Sequence, residues 1–482
     1  MFAGIAAIII VAAAAAVRGI KTGAALEAAF LLVAGLAAVS VATGAATRRP
    51  WQLAVLFWAA LSLPVVKHLT PGGGLAGINA DHVIAYPVDV VLALGLASVV
   101  VAAVRREREA GKGPASLGRA LAAIFKPDLI SWAIFASAAA VVLSAYNAPR
   151  PLLSVIALLD VGRLYVTYVV FRRLAAGGPR PVLVGLVAAA AAHAGLCLLE
   201  FAAQTNFGLW EKPGWGAFIF SGATPEVSGL LLARGGGTYE PNVTAQFLQM
   251  ALPFAAAFFL VAAGRRLRVG YLALLVGVAG AMLVTFSRGG WLGGALAFAV
   301  VIVFAWWNRR RLAAAPWALV LTTALGVAVL VPAVAVVLAR GAEGDQLSAV
   351  SRLDDWRTAA AMIRDHPLLG VGKGNYLDLA RLYNPWALAY PVHNVFLLTL
   401  AETGLAGLAA FVALLVGAFR AAARLIPSGP AYDAAFGLAA LAAFAGIALR
   451  MFVSMSFVHP FACLTFVAVA AAAASAAGSP GK

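Results

Sequence analysis

Residues 340–408 read RGAEGDQLSAVSRLDDWRTAAAMIRDHPLLGVGKGNYLDLARLYNPWALAYPVHNVFLLTLAETGLAGL, a long polar stretch in a chain that is otherwise mostly apolar. It begins where one apolar run ends and passes without a break into the next at His393. Most connections between helices are short, so a polar insertion of this size is expected to carry function. A helical period returns inside it. Leu353, Trp356, Ala360 and Ile363 fall on one face. Ser351 with Asp354 resembles a capping box at the helix start, and Pro367 and the glycines of GVGKG end the helix. A second short helix is expected from Asn375, with Tyr376, Leu379, Ala380 and Tyr383 as its stripe and Pro385 as its stop. The product is a small helical cap lying on a membrane surface.

The membrane follows from the rest of the chain. Of 482 residues, 63% are hydrophobic and 11% charged. Apolar runs long enough to cross a hydrocarbon core of roughly 30 Å recur throughout. They lie at 2–17, 24–45, 51–66, 84–104, 128–146, 152–171, 182–203, 243–263, 269–286, 290–307, 316–339, 393–417, 434–455 and 459–477. The expected fold class is an all-α polytopic membrane protein with about 12–14 transmembrane helices. It divides into an N-terminal bundle at 1–339, the cap at 340–392 and C-terminal helices at 393–482. The N-terminus lacks a basic leader region and reads as a retained first helix. A net charge of +16 is not a nucleic-acid patch, because the basic residues punctuate the apolar runs. They gather in alternate loops: Arg48 and Arg49, Arg105 to Lys126, Arg172 and Arg173, Arg265 to Arg268, Arg309 to Arg311, and Arg420 with Arg424. The positive-inside rule makes those loops cytoplasmic and turns 67–83, 204–242 and 340–392 outward. Cys197 and Cys463 lie in apolar runs and offer neither a disulfide framework nor metal-ligand spacing.

Chemistry-bearing residues collect on the outward side. His393 stands at a helix start on the water–membrane boundary, and imidazole is the side chain suited to accepting a proton near neutral pH. The bland alternative is a helix-capping histidine. Arg288, in TFSRGGWLGG, lies between two spans with almost no loop. An arginine at such depth usually faces a cavity or a partner, and its planar fork suits a phosphate. RGGGTYEPN offers Arg234, three glycines, Glu240 and Asn242 just before a span, either a loop that closes over a ligand or a simple turn. Lys373 lies in GVGKGN, which matches no nucleotide-binding pattern. Asp354 and Asp355 suggest helix capping and surface pairing with Arg352 and Arg357 more than metal. Arg163 with Asp160, and Arg450, are intramembrane charges, either paired within the bundle or lining a polar groove. A reaction outside the cytoplasm has no nucleotide to drive it, so the substrate itself must be activated. A lipid diphosphate carrying a sugar fits: arginines neutralise the leaving diphosphate and His393 deprotonates an acceptor hydroxyl.

At these residues the chain resembles the O-antigen ligase family, within a superfamily that includes O-antigen polymerases and bacterial protein O-oligosaccharyltransferases. The motifs are His393-Asn394, nine residues, then Gly404-x-x-Gly407, and Arg288-x-x-x-Leu292; RGGGTYEPN and DHPLLGVGKGNY add to them. The resemblance implies a glycosyltransferase of GT-C type in the bacterial inner membrane, with its active site on the periplasmic face. It implies transfer of O-antigen from undecaprenyl diphosphate to the lipid A-core oligosaccharide, with inversion and without metal or other cofactor. His393 would be the base, Arg288 the diphosphate residue with Arg234 beside it, and Asn394 would orient the site. Glu240, Asn242, Arg357 and Lys373 complete the expected substrate contacts. A polymerase or protein O-oligosaccharyltransferase using the same donor remains an alternative, and so, from another class, does a lipid-linked oligosaccharide flippase.

Overall fold

The computed structural model describes residues 35–36, 49–62, 67–68, 84–110, 116–205, 226–227, 230–231, 234–312, 314–340, 346–385, 391–428 and 430–478. The spans expected at 2–17 and 24–45 lie outside these, apart from 35–36. The chain is an all-α polytopic membrane protein. Its described helices are α1 (Pro50–Leu61), α2 (Pro87–Glu109), α3 (Ser116–Ile124), α4 (Leu129–Ser144), α5 (Pro151–Leu174), α6 (Arg180–Ala203), α7 (Pro241–Val261), α8 (Arg265–Val284), α9 (Arg288–Trp307), α10 (Pro316–Arg340), α11 (Gln346–Asp365), α12 (Tyr376–Tyr383), α13 (Val395–Ser428), α14 (Ala431–Met451) and α15 (Pro460–Ala477). Among the described residues, ten helices are long and apolar enough to cross a membrane, and Pro50–Leu61 and Pro316–Ala328 are shorter apolar helices. These coincide with the apolar runs from residue 51 onward. The described strands are only two-residue antiparallel ladders, Lys67–His68 with Ile84–Ala85 and Glu226–Val227 with Leu230–Leu231.

Proline opens many of the spans. Pro50, Pro87, Pro151 and Pro241 stand in the first helical turn, where the missing N–H costs nothing and the fixed φ favours the helix. Small residues let the bundle close, as is usual where lipid gives no hydrophobic drive between helices. A Cβ on Gly185 of α6 would meet the Trp58 ring at 2.6 Å, and one on Gly293 of α9 would meet the Gly446 carbonyl oxygen at 2.7 Å. The α7 span is wholly buried, and α8, α9 and α14 pack around it. Between the spans, Arg163 donates to Asp89 at 2.8 and 3.1 Å and also pairs with Asp160, whose side chain is exposed, so that charge is paired within the protein.

The starts of α7, α9, α13 and α15 share one end of the bundle with the ends of α8, α10 and α14. The opposite end carries Arg105, Arg106, Arg172, Arg265, Arg309, Arg420 and Arg424.

The insertion folds as two helices, with one change of phase. α11 begins at Gln346, so Ser351 and Asp354 lie inside it and form no capping box. Its buried face is Asp355, Thr358, Ala359 and Met362, while Leu353 and Trp356, on the more apolar stripe, are 53% and 38% exposed. Both spacings are helical, and the neighbours decide between them: α11 lies on α13 by the stripe that can also satisfy a polar contact there. In α12, Tyr376 and Ala380 are buried as the period predicts.

The glycine motif after His393 has a structural cause. α13 breaks at Gly404, where φ is 65° and ψ −167°, a conformation open to glycine alone. The break frees two carbonyls and an N–H that the insertion then pairs. Val371 N–H donates to Ala401 O at 2.9 Å, Gly372 N–H to Glu402 O at 3.0 Å, and Leu405 N–H to Pro367 O at 2.9 Å. A Cβ at Gly404 would lie 2.1 Å from the Leu368 oxygen. Gly404→Ala is therefore expected to destabilise by about 1–3 kcal/mol from the backbone alone, with more from the clash. A lowered melting temperature in detergent and faster proteolysis at 366–374 would register it.

Candidate active site

His393 and Asn394 hold the turn between the insertion and α13. Asn394 is buried, and its Oδ1 accepts from Leu397 N–H at 3.0 Å, so this side chain caps the helix and thereby fixes the direction of the preceding residue. His393 is partly buried, and its Nδ1 lies 3.7 Å from Asp355 Oδ2. Asp355 is 8% exposed, and its Oδ2 has no hydrogen-bond partner among the described residues. A buried carboxylate beside an imidazole nitrogen is an arrangement that orients the ring. Tyr376 buttresses it by donating from its hydroxyl to the Asp355 carbonyl at 3.4 Å. Burial raises the Tyr376 phenol above its ordinary range, with Asp355 and Glu402 adding to the effect, so it stays a donor.

The second group forms at the same end from α7, α9, α14 and the loop before α7. Arg234 Nε donates to Thr285 O at 2.7 Å and its Nη2 to Asn242 Oδ1 at 3.1 Å. Arg450 Nη2 donates to Asn242 O at 2.6 Å and to Ser287 Oγ at 3.3 Å. Ser287 is the N-cap residue of α9 and Arg288 its first helical residue. The turn that aims them includes Phe286 at φ 49°, an uncommon conformation for a bulky side chain. Arg234, Asn242, Ser287 and Arg450 are thus joined by hydrogen bonds, Arg288 follows Ser287 in the chain, and Glu240 is the N-cap residue of α7. The helices that carry the two groups touch at this end: Phe396, three residues after His393, meets Phe452, two after Arg450, at a ring distance of 4.6 Å.

The RGGG loop is fixed in place. Gly236 and Gly237 N–H donate to Glu200 Oε2 at 2.7 and 2.6 Å, and Gly235 N–H donates to Val284 O at 2.9 Å. A Cβ on Gly235 would meet the Cys197 carbonyl oxygen at 2.6 Å. These glycines serve close packing against α6 and α8.

Two expected substrate contacts sit elsewhere. Arg357 is two residues, or about 200° of helix, from Asp355; it is exposed and pairs with Asp354 at 3.0 Å. Lys373 Nζ lies 2.6 Å from Oε2 of buried Glu402, whose Oε1 accepts from Gly374 N–H at 3.1 Å. Ser154 Oγ donates to the Lys373 carbonyl at 3.1 Å, which ties the GVGKG loop to α5. Lys373→Met should therefore act through the fold. Leaving Glu402 buried without its cation is expected to cost up to about 3 kcal/mol. Glu402→Gln added to it should restore part of the melting temperature, whereas a substrate contact would show no such rescue.

Asp355, Arg450, Glu200 and Glu402 are the residues that sequence reasoning left without these roles. Among the described residues no three His, Cys, Asp or Glu side chains converge as a metal-holding group. Residues 272–412 match the family model described as O-antigen ligase, a range that takes in Arg288, the insertion, His393 and Gly407 and leaves out Arg234 and Arg450. No curated protein matches the chain.

Proposed function

From a membrane protein whose residues 272–412 match the O-antigen ligase family model, we propose a GT-C-type glycosyltransferase that moves O-antigen from undecaprenyl diphosphate to a hydroxyl of the lipid A-core oligosaccharide. The observation that carries the reading is the pairing, at one end of the bundle, of an acid-backed histidine with an arginine cluster. That end is opposite the arginine-rich one, which by the positive-inside rule supports a reaction on the periplasmic face of an inner membrane.

The step balances as follows. With Nδ1 turned to Asp355, Nε2 of His393 takes the proton of the acceptor hydroxyl. The acceptor oxygen forms its bond to the anomeric carbon from the face opposite the diphosphate. The bond from that carbon to the diphosphate oxygen breaks, and undecaprenyl diphosphate leaves with the electron pair. Arg288 and Arg234 meet the charge that grows on it, and the anomeric centre inverts. His393 then releases its proton to solvent.

The test is transfer by the purified chain in nanodiscs, with undecaprenyl-diphosphate-linked glycan and lipid A-core as the sole substrates. Formation of the glycan-bearing acceptor supports the reading; polymerisation of the donor without acceptor labelling overturns it. Because arginines take the place that divalent metal has in many diphosphate sites, transfer is expected to survive EDTA. Complete loss that magnesium or manganese restores would contradict the arginine account.

A further inference from the structure

Arg450 is among the largest fully buried side chains of the protein, 2% exposed, in the last turn of α14. A buried charge is costly unless it is paired and hydrogen-bonded. Only Nη2 is satisfied, by the Asn242 carbonyl and the Ser287 hydroxyl. Nε and Nη1 have no hydrogen-bond partner among the described residues. Arg234 shares Asn242 with this guanidinium, so a second cation lies close by.

The two unsatisfied nitrogens lie against the first turn of α9. A Cβ on Gly290 would sit 3.0 Å from Nη1, and one on Gly289 3.8 Å from Nε, so these glycines let the helix start settle onto the guanidinium. That start belongs to a helix of 20 residues, whose first N–H groups and dipole are themselves positive. Arg288 and Arg234 add two further cations. An arrangement of this kind repels itself until an anion enters, and a helix N-terminus is where a phosphate oxygen binds well.

We propose that Arg450 is a positioning residue of the donor site: it sets the spacing of Arg234 and Arg288 by holding Asn242 and Ser287, and the bound diphosphate compensates its buried charge. This deepens the donor-site reading and rests on it for the identity of the anion. The shared chemistry is a diphosphate, free or at the head of a prenyl lipid.

The experiment uses the full chain in detergent with inorganic pyrophosphate and a short-chain prenyl diphosphate as probes. Affinity and melting temperature are read for wild type, Arg450→Met and Arg450→Lys. Wild type should be stabilised by either probe beyond chloride at matched ionic strength, and tighter binding of the prenyl form assigns the lipid as the source. Arg450→Met, of similar reach and no charge, should melt without anion at or above the wild-type temperature, as replacing a buried charge by a packed apolar chain allows. Its pyrophosphate affinity should fall at least about tenfold. Arg450→Lys keeps the charge and loses the fork, so its affinity should be intermediate. Unchanged affinity in Arg450→Met, whatever its melting temperature, would overturn the proposal. If that variant is not recovered folded, wild type decides: no stabilisation by either probe beyond chloride overturns it equally. Binding needs no acceptor, so anion affinity that depends on Arg450 without any glycan transfer would sink the proposed function and leave this inference. Transfer that proceeds in Arg450→Met with an unaltered KM for donor would do the reverse.

Discussion

His393→Ala is expected to lower the rate of glycan transfer by about 10²–10⁴, the range a positioned general base contributes, while donor affinity stays near wild type. The split follows from what the imidazole touches. Nδ1 faces Asp355 at 3.7 Å, and the arginine cluster is built from other helices, so removing the ring leaves the anion site standing. Neutral imidazole also adds little to the binding of a diphosphate. Helix α13 keeps its cap in the variant, because Asn394 Oδ1 accepts from Leu397 N–H independently of the histidine. Donor affinity and single-turnover rate, measured on folded protein in nanodiscs, separate the outcomes. Loss of donor binding with normal turnover of the bound fraction would make His393 a binding residue and return the search for the base to the other side chains at that end.

Arg288→Ala is expected to damage both quantities, with turnover down by about 10²–10³, as when one preorganised charge stabiliser is removed. Its charge meets the diphosphate in the ground state and more strongly as the leaving group departs, so affinity and rate fall together. Arg288→Lys should recover only part, since an ammonium cannot reproduce the bidentate fork. Arg288 is the first residue of α9, on a turn already fixed by Thr285 and Ser287, so the backbone there should survive either change. A variant with normal affinity and normal rate would remove Arg288 from the site.

What the sequence made legible and what it hid have physical reasons. From residue 51 onward each span was readable because an apolar run is bounded by proline at its start or arginine at its end. His393 and Arg288 were readable because a polar side chain at a span boundary has few structural uses. Asp355 was not. Beside Asp354 it looked like one of two surface acids at a helix start, and only the rotation of α11 on α13 turns it inward while Asp354 stays with Arg357. A stripe of Asp355, Thr358, Ala359 and Met362 is as periodic as the more apolar stripe through Leu353 and Trp356, and hydrophobicity drew attention to the second while the first packs on α13. Arg450 stood out as an intramembrane charge, but its surroundings come from α7 and α9, which lie more than 150 residues away in sequence. The glycines of RGGG read as a loop that closes or turns, and those of the Gly404 motif as marks of the resemblance. They are close approaches, and nothing local reveals that Cys197 and Leu368 are the neighbours.

The most direct measurement of the central claim is the glycolipid profile of a strain from which this gene is deleted. Loss of long-chain lipopolysaccharide with accumulation of undecaprenyl-diphosphate-linked polymer, both reversed by the wild-type gene and not by His393→Ala, is the predicted result. Lipopolysaccharide bearing single O-antigen repeats, with no accumulated polymer, would contradict it and assign the chain to polymerisation.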